Sequence, residues 1–231
     1  MIASRTKQGP IDWLRAERRR RRSPEGHQGK PDFEQLVGRD GWLRLAPDIR
    51  ARFTEKPKPG SPICYSGIMR RVDCSWAGLL LGHFCRLLGT PFAPFRGRDV
   101  PVAIVLRADP DDGAIIWERE YRYPDHPPVV VRSVKRTAPD GGLLECVGCG
   151  FGMRLAVYEA DAALHFLSRR YFWSVGRRQF ALPDLLSPGV AHVIHEDLGQ
   201  GRFRFVMTIR NTLLGTLFYQ EGVFQREGAT P

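Results

Sequence analysis

The chain has 231 residues, of which 42% are hydrophobic and 10% aromatic, so it carries enough apolar side chains to bury a core. This composition excludes a globally disordered protein. The formal net charge is +10, but residues 1–30 hold nine Lys or Arg and only three Asp or Glu. The other 201 residues carry 26 basic and 22 acidic side chains. The folded part is therefore only mildly basic, which is not typical of a dedicated nucleic-acid-binding domain.

The cysteines and the lengths of the apolar runs predict the cellular compartment of the protein. Five cysteines, an odd number, without a recognisable secretory signal predict free thiols in a reducing compartment. The longest apolar run, residues 76–81, is far shorter than the roughly 20 residues that a membrane-spanning helix needs. We therefore expect a cytoplasmic protein without a membrane span.

Residues 1–31 form a basic tail interrupted by prolines and glycines, which predicts a mobile segment. Three interpretations of this tail are open. In the first, it binds nucleic acid or an anionic membrane surface through Arg18, Arg19, Arg20, Arg21 and Arg22. In the second, it is a solvated extension without a partner. In the third, it is upstream sequence translated from a misplaced start and is absent from the cell.

Short helices are predicted directly after the tail. Asp32 and Gln35 have the spacing of a capping box, and the apolar residues of segment 33–53 predict a pair of short helices. Residues 56–60 form a Lys- and Pro-rich linker. A longer helix is predicted at residues 76–88, with an apolar face made of Trp76, Leu80, Phe84 and Leu87.

The rest of the chain has the pattern of antiparallel strands. In the last hairpin Phe203, Phe205, Met207 and Ile209 alternate with mostly polar residues, as in a strand with one buried face. The same theme predicts strands at residues 63–75, 100–107, 114–123, 129–137, 143–147, 151–158, 164–173, 190–198, 203–210 and 217–224. Residues 183–188 predict a corner or a helical turn.

This order of elements predicts the fold class. Turns every ~8–12 residues, with no long helix between strands, favour an antiparallel meander over a parallel sheet. A sheet of this size curls into a barrel or splits into a sandwich. We expect an α+β protein that is predominantly antiparallel β, with a curved or barrel-like sheet and short N-terminal helices. Residues 32–226 would form one domain, and residues 227–231 a short C-terminal tail.

The strand predicted at residues 114–123 carries the most informative chemistry. One of its faces holds Trp117, Arg119 and Tyr121, while the other face is charged. If the aromatic face is inward, Arg119 needs an anionic partner, because an unpaired buried charge is unstable. Glu221, on a face with Tyr219, is the best candidate for that partner.

Two interpretations of this face are open. The first is a structural ion pair that closes the sheet. The second is a cavity whose apolar walls bind a small apolar or amphipathic, anionic ligand, oriented by charged and aromatic groups. The candidate binding residues are Trp117, Arg119, Tyr121, Arg170, Tyr171, Tyr219 and Glu221.

An enzyme is a separate alternative that the sequence leaves undecided. Glu221, with Tyr219 or Tyr171, would supply acid–base chemistry in the same cavity, but nothing in the sequence shows that these groups converge. Cys146 and Cys149 have the spacing of metal ligands or a redox pair, yet no second such pair exists to complete a zinc site. The glycines around Cys149 lack the context of a phosphate loop and predict a bend. We therefore predict no catalytic residue, no metal and no cofactor.

Several segments together carry a family resemblance. They are GRDVPV at residues 97–102, WER at 117–119, GFGMRL at 150–155, ALHF at 163–166, SRRY at 168–171, GRFRF at 201–205 and LFYQEG at 217–222. Over residues 33–225 the chain resembles the bacterial family catalogued as domain of unknown function 4166. The resemblance implies no established activity. It implies a domain that occurs alone or behind reductase-like nucleotide-binding domains, and hence an association with a reductase-like protein.

Overall fold

The computed structural model describes residues 29–87, 95–176 and 178–228 of the chain. Residues 1–28, which include the arginine run of the predicted tail, lie outside the described residues. So do the side chains of Phe84 and Leu87, two members of the apolar face predicted for the helix at 76–88.

Three short helices precede the sheet: α1 (Phe33–Val37), α2 (Arg39–Arg44) and α3 (Pro47–Thr54). Asp32 caps α1 as predicted, because its Oδ1 accepts a hydrogen bond from the Gln35 backbone N–H at 3.1 Å. Gly38, with a φ of +83°, separates α1 from α2. The predicted helical pair is therefore a set of three helices.

The sheet contains eleven strands within the described residues. They are β1 (Ile63–Cys74), β2 (Gly97–Ala108), β3 (Ile115–Tyr121), β4 (Val129–Thr137), β5 (Leu143–Cys146), β6 (Phe151–Ala160), β7 (Ala163–Val175), β8 (Arg178–Ala181), β9 (Val190–Gly199), β10 (Arg202–Asn211) and β11 (Gly215–Arg226). The predicted strands correspond to all of these except β8. A fourth helix, α4 (Trp76–Leu87), follows β1, and the predicted turn at 183–188 contains a short 3-10 helix, Asp184–Leu186.

The strands close into an antiparallel barrel, as the sequence predicts. Their order is β6-β5-β4-β3-β2-β1-β11-β10-β9-β7, and the pairing of β6 with β7 completes the ring. The remaining strand, β8, pairs with the last residues of β7 and extends the sheet outside the ring. Closure leaves almost no unpaired strand edge and encloses an interior lined by alternate residues of each strand.

Helices lie at both ends of the barrel. At one end, which we call the α3 end, α1 and α2 contact β6, and α3 contacts β9. At the opposite end, the α4 end, the Ser75 backbone N–H donates to the Leu217 carbonyl oxygen at 2.9 Å. Gly78 leaves no room for a Cβ against that same carbonyl, so α4 packs directly on the start of β11.

The apolar face predicted for α4 is wrong at Trp76 and Leu80, which face the solvent. Trp76 is 69% and Leu80 64% exposed. The helix instead buries Ala77 and turns Leu79 and Leu81 toward the core. The contact of Gly78 with β11 sets this rotation. Among the described residues, no helix is both long and apolar enough to cross a bilayer.

Candidate ligand-binding cavity

The barrel encloses a cavity of about 250 Å³ that extends from the middle of the interior to the α4 end. Its walls are mainly apolar and include Val131, Leu155, Val193, Met207, Ile209 and Phe218. Leu81 and Cys85 of α4 border it at one side, and Leu182 and Pro188 at the other. Leu186 also lines it while being 68% exposed, so the cavity reaches the surface between α4 and the segment after β8.

Three side chains of strand β3 face the cavity. Trp117, Arg119 and Tyr121 alternate toward the interior and line the cavity. The Arg119 guanidinium carbon lies 5.6 Å from the centroid of the Trp117 ring, a cation–π contact. No hydrogen bond or ion pair joins the half-buried Arg119 side chain to another residue in the described part of the chain. Arg119 therefore presents a positive charge to an apolar cavity.

A buried ion pair lies beside Arg119. Lys135 of β4 and Glu145 of β5 are opposite each other in the hairpin register, and the Lys135 Nζ lies 2.8 Å from the Glu145 carboxylate. The Ser133 hydroxyl donates to the same carboxylate oxygen at 2.7 Å. The two charged side chains are only 7% and 13% exposed. These bonds hold the carboxylate in one orientation.

The electrostatics of this cluster keep Glu145 ionised. Burial alone would raise the pKa of Glu145, but the positive charges of Lys135 and Arg119 and two hydrogen bonds hold that pKa below its usual value. For Lys135, burial outweighs the ion pair. Burial and the like charge of Arg119 lower the pKa of Lys135 more than Glu145 raises it.

Two tyrosines are oriented by hydrogen bonds inside the barrel. The Tyr121 hydroxyl donates to the Gln220 Oε1 at 3.1 Å. The Tyr171 hydroxyl donates to the Ser168 Oγ at 3.3 Å, and that oxygen also accepts from the Ala191 backbone N–H at 2.8 Å. Burial raises the pKa of both tyrosines, so each is neutral at physiological pH.

His195 of β9 lies at the inner limit of the cavity. Its ring is surrounded by Phe53, Phe166 and Phe205, with centroids 5.2 to 5.7 Å away. Burial and three nearby cations, of which the strongest is Arg52, lower the pKa of His195 well below its usual value. His195 is therefore a neutral part of the layer, shared with Trp117 and Phe205, that separates the cavity from the α3 end.

Four of the seven predicted binding residues line this cavity, namely Trp117, Arg119, Tyr121 and Tyr171. Three do not. Arg170 is exposed and does not line the cavity. Tyr219 and Glu221 lie on the outer face of β11, where they bond to each other at 2.7 Å.

The predicted pairing of Arg119 with Glu221 is wrong. The Glu221 carboxylate lies 3.0 Å from the Arg204 guanidinium on the outer face. The hydrogen bond from Tyr219 and the charge of Arg204 hold the pKa of Glu221 below its usual value. An acid–base site built on Glu221 and Tyr219 inside the barrel is wrong for the same reason, since both side chains point away from the cavity.

Sequence reasoning missed Ser133, Lys135, Glu145, His195 and Gln220. The sequence did contain a signal for the first three. Ser133 and Lys135 lie on the same strand face as Val131. The turn at residues 139–142 also places Lys135 opposite Glu145. Gln220 was not predicted because the sequence analysis placed the face of Tyr219 and Glu221, and not that of Gln220, toward the interior.

The cysteines form no disulfide among the described residues. Cys149 is exposed, with a φ of +55° in the short 3-10 turn Gly148–Gly150, which is the bend that the sequence predicts. No group of three or more potential metal ligands occurs among the residues that the structure describes.

Comparison with known proteins gives the family. Residues 45–224 match the family model described as Domain of unknown function (DUF4166). The chain belongs to this family. The DUF4166 match runs from two residues before α3 almost to the end of β11, so it contains every strand that lines the cavity. A search of the curated proteins finds no significant match.

Proposed function

We propose that this DUF4166 domain binds a small, mainly apolar molecule that carries one anionic group. The ligand would occupy the cavity of about 250 Å³, close to the lower end of the ~300–1,000 Å³ range of small-molecule sites. The single observation that carries this proposal is the position of Arg119, a cation in an apolar cavity without an ion pair in the described part of the chain.

The charge balance of the cavity supports an anionic ligand. Among its described lining residues, Arg119 and Lys135 are cations, and Glu145 is the only carboxylate. Glu145 is engaged by Lys135 and Ser133, so one positive charge is left over. A carboxylate, sulfonate or phosphate group beside Arg119 would neutralise it and gain a charge-assisted hydrogen bond in a place with little water.

The walls and the access route support an apolar body for the ligand. Apolar side chains on β9, β10 and β11 would bury its hydrocarbon part, which is the main source of affinity in such sites. The gap beside Leu186 connects the cavity with solvent, so a ligand can enter past α4 without opening the barrel.

Binding of octanoate and octanol tests this proposal by isothermal titration. Both probes have the same hydrocarbon chain, but only octanoate is anionic. We expect octanoate to bind about ten- to hundredfold more tightly, because a hydrogen bond to a charged group contributes ~1.5–3 kcal/mol. Arg119→Met should remove this preference while leaving octanol binding nearly unchanged.

Arg122→Met is the matched control. Arg122 follows β3 and pairs with Glu120 on the exposed face, so its loss should leave the affinity for octanoate unchanged. Equal binding of the two probes to the wild type would reject recognition of an anion. Failure of both to bind, together with a bare mass in native mass spectrometry of protein purified from its own host, would reject the cavity as a ligand site.

A further inference from the structure

A second, smaller cavity of about 30 Å³ lies between α3 and the barrel wall. The layer of Trp117, His195 and Phe205 separates it from the large cavity, since these residues line both. Arg52 and Phe53 of α3 border it from the other side. The ligand proposed for the large cavity does not need this space.

Three side chains around the small cavity have buried nitrogen atoms without a hydrogen-bond partner in the described residues. They are both Nη atoms of Arg52, the Nε1 of Trp117 and the Nδ1 of His195. Roughly 90% or more of buried polar groups in proteins are hydrogen-bonded, so several unpartnered groups around one small space are unusual. The arginine and tryptophan nitrogens can only donate, and the His195 nitrogen donates in its Nδ1–H tautomer. The missing partner is therefore an acceptor.

The charges around the small cavity also require an acceptor that is negative. Burial lowers the pKa of Arg52 to about 10, so Arg52 is still a cation at neutral pH. Its guanidinium carbon lies 3.5 Å from the centroid of the Phe203 ring. Glu55 and Tyr65 also line the cavity, but the Glu55 carboxylate is occupied by both Nη atoms of Arg226, at 2.5 and 2.7 Å, and burial keeps the Tyr65 hydroxyl neutral. Asp197 acts on Arg52 only from beyond ion-pair distance.

We propose that the small cavity binds a small inorganic anion, of the size of chloride, between Arg52, Trp117 and His195. A volume of about 30 Å³ admits a body the size of one or two water molecules and excludes the ligand proposed for the large cavity. A water molecule would accept from these donors but would leave the charge of Arg52 uncompensated. The positive charge of Arg119, which also borders the cavity, favours an anion over water.

Bromide is the probe that tests this site, because it replaces chloride and scatters anomalously. Crystals grown in sodium bromide should show an anomalous peak within hydrogen-bond distance of the Arg52 Nη and Trp117 Nε1 atoms. In solution, the thermal midpoint should rise with chloride at constant ionic strength, with gluconate as the replacement anion. Arg52→Met should abolish the peak and lower the apparent chloride affinity by at least about tenfold.

Arg50→Met is the control, since Arg50 is on the same helix but does not border the cavity. It should keep both the peak and the chloride dependence. Electron density without an anomalous signal would identify a water molecule and overturn the proposal, even if Arg52→Met fails to fold. Equal chloride stabilisation of the wild type and folded Arg52→Met would overturn it too. Octanoate binding tests the large cavity separately, so the two proposals can fail independently.

Discussion

The two ends of the barrel interior are made by the same strands but are filled differently. At the α3 end, the N-terminal segment inserts Phe33, Leu45, Ile49 and Phe53, all buried, into the core. At the α4 end, the helix places Leu81 and Cys85 at the rim and leaves the cavity of about 250 Å³ beneath them. Strand alternation thus produces an apolar interior in both places, and the helices determine which part is packed and which is hollow.

The difference has an energetic consequence. Side chains in the packed end border at most the small cavity of about 30 Å³, whereas those that line the large cavity of about 250 Å³ lack neighbours on one side. The same truncation should therefore cost more free energy of unfolding at the α3 end. The predictions below test this difference between the ends, and then the difference between the inner and outer faces of the barrel.

Phe53→Ala should have the largest effect. The Phe53 ring packs against Phe33 and Phe166, with centroids 5.0 and 5.7 Å away, so its removal leaves a new void in the packed end. We expect a loss of ~3–5 kcal/mol in the free energy of unfolding, measured in urea. Phe151→Ala, which removes a half-buried ring at the cavity, should cost no more than about 2 kcal/mol. Equal losses would mean that the two ends are packed alike.

Glu145→Gln should have the next largest effect. The change leaves the buried Lys135 and the half-buried Arg119 without a carboxylate, which should cost ~3 kcal/mol in the free energy of unfolding at pH 7. Glu118→Gln is the control, because Glu118 pairs with Arg132 on the more exposed outer face. It should cost less than about 1 kcal/mol.

The same variant should show a defined pH dependence. In the fold the pKa of Glu145 is depressed below its reference value of 4.5. The unfolded chain therefore binds more protons below pH 4.5, so the stability that Glu145 contributes is complete above that pH and is lost as the pH falls through the folded pKa. The stability difference between wild type and Glu145→Gln should shrink over this window in urea titrations. A constant difference would show that ionisation of Glu145 is not coupled to folding.

Glu221→Gln should have the smallest effect. Its partners Arg204 and Tyr219 lie on the partly exposed outer face, where an ion pair contributes ~0–1 kcal/mol. Since Glu221 points away from the cavity, the affinity for octanoate should be unchanged in titration calorimetry. A loss of octanoate binding in this variant would mean that the outer face of β11 is coupled to the interior.

The alternation of residues was enough to predict most of the barrel. Period-2 patterns and turn residues located ten of the eleven strands, and they placed Trp117, Arg119 and Tyr121 on one face of β3. They could not assign the inward face of β11, because both faces carry large apolar residues: Phe218 and Phe224 on one, Leu217 and Tyr219 on the other. The predicted partner of Arg119, Glu221, therefore lies on the outer face of β11 and not on the inner one.

What the amino-acid order determined is local: where strands begin and end, which residues share a face, and that Asp32 caps a helix. A hollow barrel and a packed one have the same alternation, since the pattern records only that a face is apolar. The isolation of Arg119 from Glu221 and the placement of Arg52, Trp117 and His195 around one cavity involve residues 65 or more positions apart. The large cavity depends on strands drawn from β3 through β11. They were decided when closure of the ring and packing of the helices brought distant strands together, which is a property of the folded chain and not of any one segment.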